Sequence, residues 1–164
     1  MNVNTIEKLF VDELKDLYSA ETQITKALPK LAKAASSSEL KSAFESHLKE
    51  TQGHVERLEK IFGILDMSPK GKTCEGMKAL LKEGSEMLKE TEGGAVRDAA
   101  MISAAQRVEH YEMAGYGSVR TYAQLLGREN MVNLLEKTLE EEKKADSKLT
   151  SVSRNVNEEA LRAA

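Results

Sequence analysis

The chain has no tryptophan, two prolines, one cysteine and seven aromatic residues, three Phe and four Tyr, among 164 residues. So little proline leaves long helices uninterrupted, and the abundant Ala, Leu, Lys and Glu form helices readily. The lone cysteine, Cys74, excludes an internal disulfide framework and fits a reducing compartment. It falls in the loop-like stretch 70–76 and reads as an incidental surface thiol. The lack of clustered cysteines argues against a structural zinc site as well. The 24 basic and 27 acidic residues nearly cancel and form no long basic run, so neither a nucleic-acid nor a membrane-surface footprint is present. No stretch approaches the ~18 consecutive apolar residues that span a bilayer. The N-terminal sequence has neither the charged start nor the apolar centre of a signal peptide. The expectation is a soluble, cytoplasmic, single-domain protein over residues 1–164, with small ions or another copy of itself as partners and no nucleic acid or membrane.

Four long helical patterns are present, arranged as two pairs. In the first, Phe10, Leu14, Leu17, Ile24, Leu28, Leu31 and Ala35 share one helix face, with Pro29 expected to remove one backbone bond and bend it. Ser36, Ser37 and Ser38 form a break with N-cap candidates. The second pattern places Leu40, Phe44, Leu48, Thr51, Val55, Leu58, Phe62 and Leu65 on one side, and turn chemistry at 67–71 ends it. A third begins near Ala95 after two glycines, through Ile102, Ala105, Tyr116, Val119, Ala123 and Leu126, with Gly127 suited to its C-terminal cap. A fourth begins near Glu129 and runs through Met131, Leu135, Thr138, Ala145, Leu149 and Val152. The segment 67–94 between the pairs is too long for a tight turn, and Met77, Leu80, Leu81, Met87 and Leu88 make its middle a short amphipathic helix. Two helical hairpins joined by one long crossover predict an all-α, ferritin-like antiparallel four-helix bundle.

The informative residues are carboxylates inside the apolar register. Glu21 falls between Leu17 and Ile24, Glu112 between Ala105 and Tyr116 with Glu109 a turn earlier, and Glu142 between Thr138 and Ala145 with Asp146 a turn later. On the second pattern Glu50 lies at the flank, and His47 and His54 lie one turn to either side of it, further inward. The depths agree: Glu21 lies 16 positions before a turn at residue 37 and Glu50 lies 13 after it. Glu112 lies 16 before a turn at residue 128 and Glu142 lies 14 after it. In an antiparallel bundle such positions meet near mid-height, whereas solvated side chains have no reason to. Carboxylates meeting in a core repel unless they bind protons or cations. The six acids Glu21, Glu50, Glu109, Glu112, Glu142 and Asp146 match the charge of two trivalent ions, and oxygen-rich ligation favours iron or manganese. Gly53, Gly115 and Gly117, close to these residues, read equally as close helix packing or as part of the site.

Glu21, the Glu50/His54 pair, the Glu109–Glu112 E-x-x-E and the Glu142–Asp146 E-x-x-x-D resemble a rubrerythrin-type di-iron pattern. The segments Leu17-Tyr18-Ser19-Ala20-Glu21, His47-Leu48-Lys49-Glu50-Thr51, Val55-Glu56-Arg57-Leu58-Glu59 and Gln106-Arg107-Val108-Glu109-His110-Tyr111-Glu112 more specifically resemble the YciE/YciF family of bacterial ferritin-like proteins. That resemblance implies a stress-response role, a homodimer and ferroxidase activity. Two features depart from the di-iron pattern: the residue three after Glu50 is Gly53, so the histidine arrives at His54, and Asp146 stands where rubrerythrin-like proteins have histidine. A site with one imidazole or none is more anionic, and manganese could substitute in it.

These readings name Glu21, Glu50, His54, Glu109, Glu112, Glu142 and Asp146 as metal residues of a dinuclear iron centre, with manganese in its place as a variant. The centre would oxidise Fe(II) with oxygen or peroxide. Tyr18 and Tyr116, one turn from Glu21 and Glu112, are candidates to hydrogen-bond a ligand. The alternative is a non-catalytic, dimeric helical stress protein whose metal site is vestigial or structural. Without C-x-x-C pairs, any reducing partner is a separate molecule.

Overall fold

The computed structural model describes residues 3–163, which form five helices. These are α1 (Ile6–Ala34), α2 (Ser38–Ile64), α3 (Glu75–Glu90), α4 (Ala95–Leu125) and α5 (Glu129–Arg162). Helices α1 and α2 form one hairpin and α4 and α5 the other, with α3 in the crossover packed on α4 and α1. The fold is a ferritin-like helical bundle. Among the described residues there is no helix long and apolar enough to cross a membrane.

The helix ends follow local chemistry. Ser37 caps α2 by accepting the Leu40 N–H at 3.3 Å. Asp98, buried on the first turn of α4, reaches across to accept the Ser36 and Ser37 N–H groups at 2.9 and 2.6 Å. Gly94 opens α4 at φ +118°, and Gly127 adopts φ +66° in the α4–α5 turn, conformations that a side chain would strain. Helix α1 runs through Pro29 and ends at Ala34.

Two apolar clusters fill the bundle, one toward each end. On α1, Leu17 belongs to one cluster and Ile24 to the other, with Glu21 between them. The same succession brackets His47, Thr51 and His54 on α2 between Phe44 and Leu58, Glu109 and Glu112 on α4 between Val108 and Tyr116, and Glu142 on α5 between Leu139 and Leu149. The order of clusters reverses from α1 to α2 and from α4 to α5, so each hairpin is antiparallel. Helix α2 ends at the level where α4 does not begin, and the crossover spans the difference.

Some details differ from the expected stripes. The buried face of α2 runs through Leu40, Phe44, His47, Thr51, His54, Leu58, Ile61 and Phe62. Leu48, Val55 and Leu65 are half-buried at its edge. The inward placement of His47 and His54 agrees with the sequence, whereas the apolar stripe extended too far toward Leu48, Val55 and Leu65. Gly115 is a packing glycine, since a Cβ there would stand 2.7 Å from Leu17 Cδ2, whereas Gly117 has open space. Cys74 is no surface thiol: it is 1% exposed, and its sulfur accepts the Met77 N–H at the start of α3. Its thiol lies 3.1 Å from Asp16 Oδ2 and 3.0 Å from Tyr111 Oη, and burial pushes its pKa up. Docking of the α3 N-terminus against α1 and α4 covers it.

Candidate metal centre

Positions 47, 51, 54 and 58 recur every three or four residues, so α2 carries both imidazoles on its core face. His54 is fully buried and His47 is 7% exposed. From the other three helices come Glu21, Glu109, Glu112 and Glu142, each no more than 3% exposed. Burial of so many ionisable groups opposes folding unless each finds a counter-charge.

The six side chains form two ligand groups. Glu21, His54 and Glu142 make one; His47, Glu109, Glu112 and Glu142 make the other, and in each the donor atoms lie within 4.8 Å of one another. Glu142 belongs to both. Its Oε1 is 2.9 Å from His54 Nδ1, and its Oε2 is 3.8 Å from His47 Nε2. His54 Nδ1 is also 3.2 Å from Glu21 Oε1, and His47 Nε2 is 3.2 Å from Glu109 Oε1. Although close, these approaches lack hydrogen-bond geometry. The inward ring nitrogens, both oxygens of Glu112 and Glu142, Glu21 Oε2 and Glu109 Oε2 have no hydrogen-bond partner.

Each imidazole is held from behind by a carboxylate. His54 Nε2 lies 3.1 Å from Glu141 Oε2, and Arg57 grips the same oxygen while donating to Thr138 Oγ1 at 2.9 Å. His47 Nδ1 lies 3.3 Å from Glu50 Oε2. Such outer partners fix which ring nitrogen faces a metal and raise its basicity. Tyr116, completely buried, donates to Glu21 Oε1 at 2.5 Å. Tyr18 instead donates outward to Glu59 at 3.0 Å.

Of the seven residues named from sequence, Glu21, His54, Glu109, Glu112 and Glu142 are brought together. Glu50 is set at the rim, its side chain 41% exposed, against the outer nitrogen of His47. Asp146 faces away from both groups, accepting from Gln106 at 3.1 Å and standing 3.4 Å from His110. His47 takes a place among the inward donors, and Glu141 and Arg57 support His54. His47 was legible on the inner face of α2, but the E-x-x-H pattern directed attention to Glu50 and His54. Glu141 sits in a run of three glutamates, where only the helix rotation separates the buried one from its neighbours.

The protonation pattern follows from crowding. Burial by itself would lower the His54 pKa, but Glu142 and Glu21 overcome it and raise it to about 10. For His47, likewise, burial lowers the value and Glu109, Glu50 and Glu142 carry it well above the usual range. Burial pushes Glu142 up to about 8 despite the opposing pull of His54. Burial, reinforced by Glu142, Glu21 and Glu109, holds Glu112 well above the carboxylate range. Without metal, then, crowding and burial favour bound protons on both imidazoles and on Glu112 and Glu142.

The donor set suits a pair of divalent cations. Four carboxylates and two neutral imidazoles carry four negative charges, the charge that two such ions cancel. The unpartnered oxygens and nitrogens point at one another across a volume that hydrogen bonds leave unsatisfied. Mixed oxygen and imidazole ligation without thiolate suits first-row transition metals. A cavity of about 350 Å³ between α2 and α5 reaches the cluster from the surface, lined by His47, Glu50, Glu109, Lys144 and Lys148 among others.

Fold and site together define a ferritin-like four-helix bundle with a buried carboxylate–imidazole cluster able to bind metal. The chain belongs to the family described as "Domain of unknown function (DUF892)", which matches residues 5–162, and so to the YciE/YciF proteins that its segments resemble. It is 47% identical over 162 residues to Protein YciF of Escherichia coli (strain K12), covering 98% of each chain. The solved structure of the E. coli stress protein YciF matches with a TM-score of 0.91 at 45% identity, over 95% of this chain and 99% of that one. YcfI from Rhodopseudomonas palustris matches with a TM-score of 0.88 at 42% identity, over 91% and 95%. Ferritin-like, diiron-carboxylate proteins from Bacillus anthracis share the fold at 18% identity, with a TM-score of 0.71 over 92% and 99%.

Proposed function

We propose that the protein holds two iron ions in this cluster and oxidises Fe(II) with dioxygen or peroxide. The observation carrying this reading is the sharing of Glu142 by two ligand groups, each with its own imidazole. One group would be held by Glu21, His54 and Glu142, the other by His47, Glu109, Glu112 and Glu142. With iron bound, the site would supply two electrons to one oxidant, reducing dioxygen with two protons to hydrogen peroxide, or hydrogen peroxide with two protons to two waters. Manganese fits the same donors.

The chain's own part is positional. Glu141, clamped by Arg57, orients His54, and Glu50 orients His47. Tyr116 holds Glu21 Oε1, leaving Oε2 for metal. The apolar clusters to either side exclude water from the ends of the bundle, while the cavity beside His47 and Glu109 admits ions and small oxidants. The di-iron character of the B. anthracis proteins and the stress role of E. coli YciF, as those proteins are described, support the reading.

Anaerobic Fe(II) loading of the metal-free protein, beside Glu21→Ala and Glu142→Ala, tests it. The expected result is about two irons per chain in the wild type, depleted in both variants, with oxidation faster than the protein-free control. Absence of stoichiometric iron sinks the di-iron reading and sends manganese through the same test. If manganese fails too, a non-catalytic helical protein remains.

A further inference from the structure

A second recess lies on the bundle face made by α1, α3 and α4, with a volume of about 380 Å³. Its floor is apolar, formed by Leu31, Leu81, Leu88, Ala105 and Val108 among others. Along its edges stand Lys26 and Lys30, one turn apart on α1, and Lys78 and Lys82, one turn apart on α3. No carboxylate lines it among the described residues. Four cations gather here in a chain whose net charge is −3. Lys26 and Lys30 form no ion pair among the described residues. Lys78 and Lys82 reach Glu75 at 3.2 Å and Glu86 at 3.6 Å in exposed pairs along their own helix. Such exposed pairs are weak and leave the ammonium groups free to turn toward a ligand.

We infer that this groove binds a single-chain anionic amphiphile, a free long-chain carboxylate whose tail covers the floor and whose headgroup meets the lysines. An apolar cleft with a few converging polar groups is the usual form of a small-molecule site. The charge selects the sign of the headgroup. Two observations disfavour other occupants. The large exposed hydrophobics, Val3, Ile64, Met67, Val96, Leu125 and Leu161, lie outside the groove, so its apolar atoms form a recess and no membrane-inserting edge. A second copy docked groove to groove would set the same lysines against each other.

Laurate, titrated calorimetrically into the full chain below its micelle concentration, tests the assignment. Saturable binding of about one laurate per chain is expected, with no binding of dodecyltrimethylammonium. Lys26→Glu with Lys30→Glu should weaken laurate by roughly tenfold or more, and Ala27→Phe should abolish binding by filling the cleft. Circular dichroism establishes that each variant is folded. Should Ala27→Phe fail to fold, the charge-reversal pair, on exposed side chains, decides alone. Equal binding of the cationic amphiphile, indifference to charge reversal, or binding only to anionic phospholipid vesicles overturns the inference. So does a sedimentation shift from dimer to monomer in Ala27→Phe without laurate binding, which assigns the groove to a second copy.

Discussion

His47 and His54 stand seven residues apart on one face of α2, with ring centroids 6.2 Å apart and ring planes at 70°, and each belongs to a different ligand group. Two turns of helix separate their backbones by ~10 Å, so the rings lean toward one another around Glu142. One helix therefore supplies the nitrogen donor of both halves of the cluster. The rubrerythrin-type pattern instead distributes histidines through E-x-x-H and a fourth-helix histidine.

This geometry predicts that the two halves can be emptied separately. His54→Ala should leave about one ion per chain, retained by His47, Glu109, Glu112 and Glu142, and His47→Ala should leave the complementary one. Metal analysis after anaerobic loading, with the absorption spectrum of each Co(II)-loaded variant, reads the difference. Identical spectra, or loss of both ions in each variant, would contradict two independent groups.

Glu141 touches no inward donor, yet it holds the outer nitrogen of His54. Glu141→Gln should keep the helical content and weaken metal binding in the His54 half by ~10–100-fold, the size expected when an imidazole loses its carboxylate. Competition with a chelator of known affinity measures it. An unchanged dissociation constant means that the ring is placed without the Glu141 carboxylate.

The metal-free protein should lose stability as pH rises. His54 is held at about 10 in the fold against an ordinary 6.5, so its contribution is complete below 6.5 and disappears as pH passes through about 10. Glu142, held at about 8 against an ordinary 4.5, keeps a proton that the unfolded chain releases, so stability also falls between 4.5 and 8. The two act in the same direction. Melting temperature measured from pH 5 to 9 in chelator should decline, and metal loading near pH 7 should release protons. A flat profile together with no proton release would show that the cluster is not protonated.

Asp98 joins the hairpins away from the metal cluster. Asp98→Ala leaves the Ser36 and Ser37 N–H groups without their acceptor and should cost ~1–3 kcal/mol. For a chain of this size that lowers the melting temperature by ~3–10 °C. Metal stoichiometry should be unaffected, which distinguishes this substitution from those in the cluster.

Gly115→Ala should also destabilise, by ~1–3 kcal/mol, because its methyl group meets Leu17, itself 1% exposed with little room to rotate. Gly117→Ala, where nothing lies within 4 Å, serves as the paired control and should be neutral or slightly stabilising. Thermal denaturation of the pair tests whether contact with α1 explains the first glycine.

Helical periodicity, the serine break and the glycine turn made the four long helices, their pairing and the crossover readable from the chain itself, because each follows from interactions within a few residues. The glutamates at 21, 112 and 142 were visible as charges in an apolar register, and a matching depth on each helix brought them to one level. Which face of α2 turned inward was decided by packing. Leu48, Val55 and Leu65 yield their places in the core to the two histidines and Ile61, while Thr51 stays buried and Glu50 lies at the rim as its flanking position implied. The roles of Glu141, Asp146 and Cys74 likewise depended on neighbours 37 to 87 residues away in sequence. Helix rotation and interhelical contact set those neighbours, and local propensity carries no record of either.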